Sequence, residues 1–173
     1  AQFNAANEHV SLDSPAALDF GSSTDFSVSL LLRSSSSFTT DNAVASNKNW
    51  ASGYNPGWVI AVNTNGSWQW NIGDGSDRLD YDSPGGLLYD GSWHHVTAVH
   101  DRDGSAQLYF DGVLVSELGM ATIGNINGLA TALATDGTFA YPSFPGCIDE
   151  FRIWRRKLLP EEVAELHSGF AIK

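Results

Sequence analysis

The chain is poor in cysteine, methionine and positive charge: one Cys, one Met, and nine Lys plus Arg against twenty Asp plus Glu in 173 residues. A single cysteine, Cys147, excludes an internal disulfide and a zinc centre built on cysteines. Its setting, FPGCIDEFRIW, is apolar and strand-like, which predicts a buried small hydrophobe and not a reactive thiol. The net charge of −11 works against nucleic acid, whose binding draws on counterion release by cations, and against anionic membrane surfaces. A polyanionic sugar would need a bridging cation. No apolar run approaches the roughly 20 residues of a membrane span, so membrane insertion is not expected. The opening AQFNAANEHV carries no basic stretch before an apolar core, so a secretory leader is expected to have been removed or to have belonged to a larger secreted precursor.

Glycine and tryptophan are abundant, at 17 and 6 residues, and only 17% of the chain is charged. That composition suits one β-rich domain with many turns, here taken to span 1–173. DFSVSLLLR, residues 25–33, alternates Phe26, Val28, Leu30 and Leu32 with Ser27, Ser29 and Leu31, the period of a half-buried strand. GWVIAVNTNGSWQWNIGDG, 57–75, reads as a hairpin. Trp58, Ile60 and Val62 share one face, Trp68, Trp70 and Ile72 the other strand's matching face, and Asn65-Gly66 predicts a type I′ turn. WHHVTAVHD and SAQLYF flank Arg102-Asp103-Gly104, and Asp111-Gly112 leads into VLVSE, completing a meander. LLPEEVAELHSG predicts one short helix, with Pro160 in its first turn, Glu161 and Glu162 at its positive end and Gly169 at its stop. Val163, Leu166 and Phe170 are its candidate buried stripe, and RSSSSFTTDN, 33–42, is the most loop-like stretch. The pattern is all-β: a two-sheet antiparallel jelly-roll sandwich with a short C-terminal helix.

GSWHHVTAVHDRDGSAQLYFDGVLV resembles the central signature of laminin-G-like domains in the concanavalin A-like lectin/glucanase superfamily, a Trp-His-His-Val strand followed by a Tyr-x-Asp-Gly hairpin. GCIDEFRIWRRKLLPEEVAEL resembles the family's closing strand and helix, DFSVSLLLRS its early core strand, and NKNWASGYNPGWVIAV a loop of bacterial members. The order of these motifs implies the jelly roll. It leaves function open among lectins, carbohydrate-binding modules, receptor-binding domains and some hydrolases.

Catalysis finds little support in the residues. His94 and His95 are neighbours on a strand and point to opposite faces, so they do not chelate one metal; His100 and Asp101 end that strand, where polar tips meet water. Glycosidases of this superfold carry carboxylates as Glu-x-Asp-x-x-Glu on one strand, and no such run occurs. Asp80 and Asp82 of DRLDYD are the one carboxylate pair with plausible spacing, whereas Asp149 and Glu150 diverge. Neither Gly-x-Ser-x-Gly nor His-Glu-x-x-His is present.

Binding is better served. A sugar needs an aromatic plate for its C–H face and planar polar groups for its hydroxyls. SNKNWASGYNPGW supplies Trp50 and Tyr54 for stacking and Asn47, Lys48, Asn49 and Asn55 for hydrogen bonds; Trp50 folded back over the sheet edge is the structural alternative. Trp58, Trp68, Trp70, Trp93 and Trp154 are expected in the core or on sheet faces, and Gln69 and Asn71 on the sheet surface opposite Trp68 and Trp70. The surplus of carboxylates fits plain solubility or calcium. The family resemblance implies a calcium ion near Asp149, with Asn7 or Glu8 as partners, unless Asp149 caps a turn or pairs with Arg152 or Arg33. Asp74, Asp77 and Asp136 form a weaker set if the loops GDGSD and ATDGT converge. The expectation is a secreted, calcium-stabilised, non-catalytic module that binds a glycan. The rivals are a protein-binding adhesion or assembly module and a small glycosidase or lyase.

Overall fold

The structure, a computed structural model, describes residues 1–4, 7–34, 38–140 and 142–170, with Phe170 by its backbone alone. Two expectations of the sequence pattern, the Phe170 side chain and part of the loop in 33–42, therefore lie outside the described residues. The strands are β1 (Gln2–Phe3), β2 (Val10–Ser11), β3 (Phe26–Arg33), β4 (Asn42–Ser46), β5 (Gly57–Val62), β6 (Trp68–Gly73), β7 (Arg78–Asp82), β8 (His94–His100), β9 (Ser105–Phe110), β10 (Val113–Gly119), β11 (Ala132–Leu133) and β12 (Gly146–Trp154), followed by helix α1 (Pro160–Phe170). They form two six-stranded antiparallel sheets, β1-β12-β3-β8-β9-β10 and β2-β11-β4-β5-β6-β7. This is the jelly-roll sandwich that the alternation predicts. Among the described residues no helix is long and apolar enough to cross a membrane.

The inner faces hold the expected side chains. Phe26, Val28, Leu30 and Leu32 of β3 meet Trp58, Ile60 and Val62 of β5 and Trp68, Trp70 and Ile72 of β6 in one buried cluster. Burial of three indoles and several branched side chains, at about 2 kcal/mol or more each, drives the sheets together.

The two outer faces differ. On the first sheet, Leu158 and Val163 at the start of α1 pack on Val99 and Tyr109, with Trp154 and Leu166 alongside. Ser27, Ser29 and Leu31, expected on a solvent face, are consequently buried as well. The Ser27 hydroxyl donates to the Arg156 carbonyl at 3.0 Å and accepts from the Leu158 N–H at 3.0 Å, stapling the helix to β3. The outer face of the second sheet has no such helix.

The turn chemistry is redistributed. Only Gly66, at φ 76°, takes the left-handed conformation in the β5–β6 connection, and its N–H bonds to the Asn63 carbonyl at 2.9 Å while Asn63 N–H reaches the Ser67 carbonyl. That is a type I turn closed by a glycine bulge, in place of the predicted type I′ turn. Asn65 is spared positive φ because its side-chain oxygen accepts the Ser67 N–H. The two-residue turn with both φ positive is instead Asp111-Gly112, at 49° and 76°, between β9 and β10.

Candidate functional site

The bare outer face of the second sheet presents one line of residues across three strands. Register places Val59 opposite Asn71 and Asn71 opposite Asp80; Ala61 lies opposite Gln69 and Gln69 opposite Asp82. Inward Trp58, Trp68, Trp70 and Ile72 thus force outward Gln69, Asn71, Asp80 and Asp82. The loop between β4 and β5 folds over the end of this face. There Trp50 packs on the small apolar patch of Ala43, Val59 and Ala61. The result is an open cleft of about 350 Å³ lined by Asp41, Trp50, Gly53, Gln69, Arg78, Asp80 and Asp82.

The loop is held by a chain of polar contacts. Lys48 is fully buried, and its ammonium donates to the Gly53 carbonyl at 2.8 Å and to Asn71 Oδ1. Burial pushes its pKa down to about 8, partly offset by the nearby Asp80 carboxylate, so it still carries charge at pH 7. Asn71 Nδ2 donates to Asp80 Oδ1 at 2.9 Å, and Arg78 Nε pairs with Asp80 Oδ2 at 3.0 Å. The Arg78 guanidinium then lies 4.9 Å from the Tyr54 ring centroid. Gly53 leaves room for this guanidinium: a Cβ would sit 2.8 Å from Arg78 Nη1, and the arginine would have to shift.

The six residues predicted to bind ligand divide into scaffold and surface. Asn47 is buried, its Oδ1 accepting the Trp58 N–H at 2.8 Å, and Lys48 is the buried strut. Asn49 Oδ1 accepts the Ala51 N–H, and Asn55 Nδ2 donates to the Asn49 carbonyl at 2.8 Å, so both shape the loop. Trp50 lines the cleft and Tyr54 is 48% exposed beside Arg78. Gln69 makes no side-chain hydrogen bond within the described residues and faces the cleft with a planar amide. Arg78, Asp41 and Gly53 are contributions that the sequence alone does not single out. The alternation in RLDYD gives Arg78 the same face as Asp80, but nothing local places Asp41 there.

The histidines are structural. His95 is buried, with Nε2 2.7 Å from Ser29 Oγ and 3.2 Å from Thr97 Oγ1, and burial lowers its pKa to about 4. His94 turns the other way, to Asp111 Oδ2 at 2.9 Å and Asp90 Oδ1 at 3.2 Å, and the Asp111 hydrogen bond raises its pKa. His100 was expected at a wet strand end. It is fully buried, its ring stacked at 3.8 Å on Phe26, with Nε2 accepting from Trp70 Nε1 at 3.1 Å and Nδ1 3.2 Å from the Phe26 carbonyl. An even-numbered position on β8 faces the core, and the ring's two nitrogens satisfy two core groups there.

Other expectations are corrected. Trp93 is not in a strand; it is 41% exposed. Cys147 is half-buried, with the Arg33 Nη2 3.6 Å from its sulfur, and not a core hydrophobe. Glu150 does not alternate with Asp149 on a regular strand: β12 is bulged there, Glu150 has φ 51°, and its carboxylate pairs with Arg152.

The predicted calcium ligands are not brought together. Gln2 pairs with Cys147 and Phe3 with Gly146 in antiparallel register, so Asp149 lies beyond the Ala1 end of β1 while Asn7 and Glu8 follow its other end. Asp149 Oδ1 accepts the Glu150 N–H, and Glu8 accepts the Asn4 N–H. Asp74 accepts the N–H groups of Ser76, Asp77 and Gly124, which with burial opposing hold its pKa low. Asp136 accepts from the Trp50 and Thr138 N–H groups. Among the described residues no group of three or more His, Cys, Asp or Glu is placed to hold a metal ion.

Comparison with known proteins agrees with this architecture. A laminin-G family model described as the concanavalin A-like lectin/glucanases superfamily matches residues 4–164. Botulinum neurotoxin type E of Clostridium botulinum is 28% identical over 120 residues, 66% of this chain but 10% of the toxin. Among solved structures, the botulinum neurotoxin serotype G binding domain superposes with a TM-score of 0.76 at 17% identity, over 98% of this chain and 42% of that one. The binding domain of Paraclostridial Mosquitocidal Protein 1 gives 0.77 at 15% identity, over 95% and 42%. The chain therefore spans a tenth of that toxin and about two-fifths of these solved domains.

Proposed function

Because the chain belongs to the concanavalin A-like lectin/glucanases superfamily, we propose that it is a non-catalytic, lectin-like carbohydrate-binding module whose sugar site is the cleft beside Trp50. One observation carries this reading: a partly exposed indole on a rigid loop borders an open cleft together with an amide, a guanidinium and three carboxylates. The indole offers a face to a pyranose ring, and Gln69, Asp82 and Arg78 offer planar acceptors and donors to its hydroxyls. Lys48, Asn71 and Asp80 fix the loop before the ligand arrives, which lowers the entropy cost of binding. Asp80 serves as an acceptor held by Asn71 and Arg78, a positioning role in place of acid–base work.

Such a module holds a neighbouring domain near a glycan, and we place it outside the cell as part of a larger secreted protein. Calcium stands as a separate proposal drawn from the family resemblance. The predicted ligands do not form a cage as arranged, so no step of binding is routed through the ion. Protein binding is a second reading, favoured by exposed Val113, Leu114 and Val115 on the edge strand β10. A solved relative of similar fold is the neurotoxin DC binding domain in complex with rat synaptotagmin II.

A glycan array probed with the wild-type chain and with Trp50→Ala tests the proposal. Binding to neutral saccharides that is lost in the variant while its circular dichroism still shows a folded sandwich, and that is partly kept in Trp50→Phe, which leaves a ring on the Ala43, Val59 and Ala61 patch, supports it. No glycan bound by the wild type, or equal binding by both, contradicts it. Reducing ends released from a polysaccharide and abolished by Asp80→Asn would replace it with catalysis.

A further inference from the structure

A second surface, on the opposite sheet, carries a charge with no carboxylate or carbonyl partner among the described residues. Five of the arginines have oxygen partners. Arg78, Arg152 and Arg156 pair with Asp80, Glu150 and Glu162. Arg102 donates to the Ser22, Ile123 and Gly124 carbonyls, and Arg155 to those of Ala17 and Asp19. Arg33 alone has neither a carboxylate nor a carbonyl among the described residues. Its guanidinium touches a thiol, Cys147 Sγ at 3.6 Å, and lies 4.9 Å from the centroid of the Trp93 ring. In a chain of net charge −11 an exposed guanidinium without an anion is conspicuous.

The register explains how this surface is built. Gln2 pairs with Cys147, Cys147 pairs with Arg33, and Trp93 immediately precedes His94, the partner of Leu32. Gln2, Cys147, Arg33 and Trp93 thus form one row across four chain segments. Gln2, Cys147 and Arg33 of this row line a cleft of about 430 Å³ together with Asn4, Ser34 and Gly146, and Trp93 lies beside it against Arg33. Gly91, at φ 75°, donates its N–H to the Ser34 carbonyl at 3.1 Å and so ties the Trp93 loop to the end of β3. At Gly146 a Cβ would lie 2.5 Å from the buried Phe144 ring and 2.6 Å from the Arg33 carbonyl, so this close packing beneath the cleft needs glycine.

We propose that this cleft binds the carboxylate of an acidic sugar residue, a uronic or sialic acid, at a site separate from the one beside Trp50. The planar guanidinium matches a carboxylate through two parallel N–H donors. The Trp93 indole, beside the cleft, holds the Arg33 guanidinium by a cation–π contact, and the Gln2 and Asn4 amides, which line the cleft, are offered to the sugar's hydroxyls. The surrounding negative charge selects the ligand further: a glycan with one isolated acid pays little long-range repulsion, whereas a polyanion or an anionic vesicle is repelled.

Isothermal titration calorimetry with 3′-sialyllactose, a glucuronic acid disaccharide and lactose tests this on the wild type, Arg33→Gln, Arg33→Lys, Trp93→Ala and Trp50→Ala. The wild type and Trp50→Ala are expected to bind at least one acidic sugar more tightly than lactose. Arg33→Gln is expected to lose that preference by about tenfold or more, the worth of a charge-assisted hydrogen bond, and Arg33→Lys to recover part of it. Trp93→Ala is expected to weaken acidic sugars while its circular dichroism and melting stay as in the wild type. The proposal fails if neither acidic sugar binds the folded wild type at millimolar concentration, or if Arg33→Gln leaves the preference intact. It fails too if inorganic phosphate displaces the sugar at equal concentration, or if phosphatidylserine vesicles are bound instead. Loss of acidic-sugar binding in Trp50→Ala with Arg33 intact would assign it to the first cleft and also overturn the proposal.

Discussion

Three imidazoles a few residues apart respond differently to pH, and their surroundings say why. Burial lowers the pKa of His95 to about 4 and that of His100 to about 3, so both are neutral in the folded chain at pH 7. The unfolded chain takes up those protons near pH 6.5. The stability these residues contribute is therefore fully present above that value and is lost as pH falls towards 4 and then 3. His94 has the opposite sign: its pKa is raised, chiefly by Asp111, so its contribution is present in acid and is lost as pH rises through the raised value. Thermal melts between pH 7 and 4 are expected to show a falling Tm, because two lowered groups outweigh one raised group. His100→Phe is expected to be less stable than the wild type at pH 7, since Trp70 Nε1 and the Phe26 carbonyl lose a partner at about 1–3 kcal/mol each, but to lose less on acidification. An equal slope in both proteins would show that His100 is not the acid-sensitive group. The sequence pattern separates His94 from His95 by strand parity alone. It misplaces His100 because a polar residue at a strand end reads as wet until the facing Trp70 is known.

At the scale of elements, the turns and the terminal helix carry the specificity. Gly112 at φ 76° closes the turn between β9 and β10, and a Cβ there would lie 3.0–3.1 Å from the His167 ring on α1. Gly112→Ala is expected to cost about 1–2 kcal/mol for the left-handed backbone, with contact strain against the helix added, as read from urea midpoints. An unchanged midpoint would mean that turn and helix give way without cost. Strands β3 and β6 are legible because polar and apolar residues alternate along them, and β5, β8 and β9 because short β-rich runs adjoin turn signals. The short strands β1, β2 and β11 carry no such period and exist only through their partners, β12 and β4. The bulge in β12 is equally hidden, since Asp149 and Glu150 look like ordinary strand neighbours until β3 fixes the register.

For the whole molecule, a helix covering one sheet leaves the other sheet's outer face free, and that asymmetry locates the proposed sugar site. Its parts come from β6, β7 and the segments on either side of β4, so only Trp50 and the outward parity of Gln69, Asp80 and Asp82 can be read locally. The calcium proposal belongs to this scale too. A calcium-stabilised fold is expected to lose Tm in EDTA and regain it with added calcium, and an unchanged melt would remove the ion from the account. Trp50 is proposed as the sugar platform. Its most direct test follows the six tryptophan indole N–H signals by 15N-labelled NMR while a neutral saccharide selected on the array is titrated in. The Trp50 signal is expected to move with saturation while those of buried Trp58, Trp68 and Trp70 stay fixed. A saturable shift of other indoles with Trp50 unmoved would contradict that role.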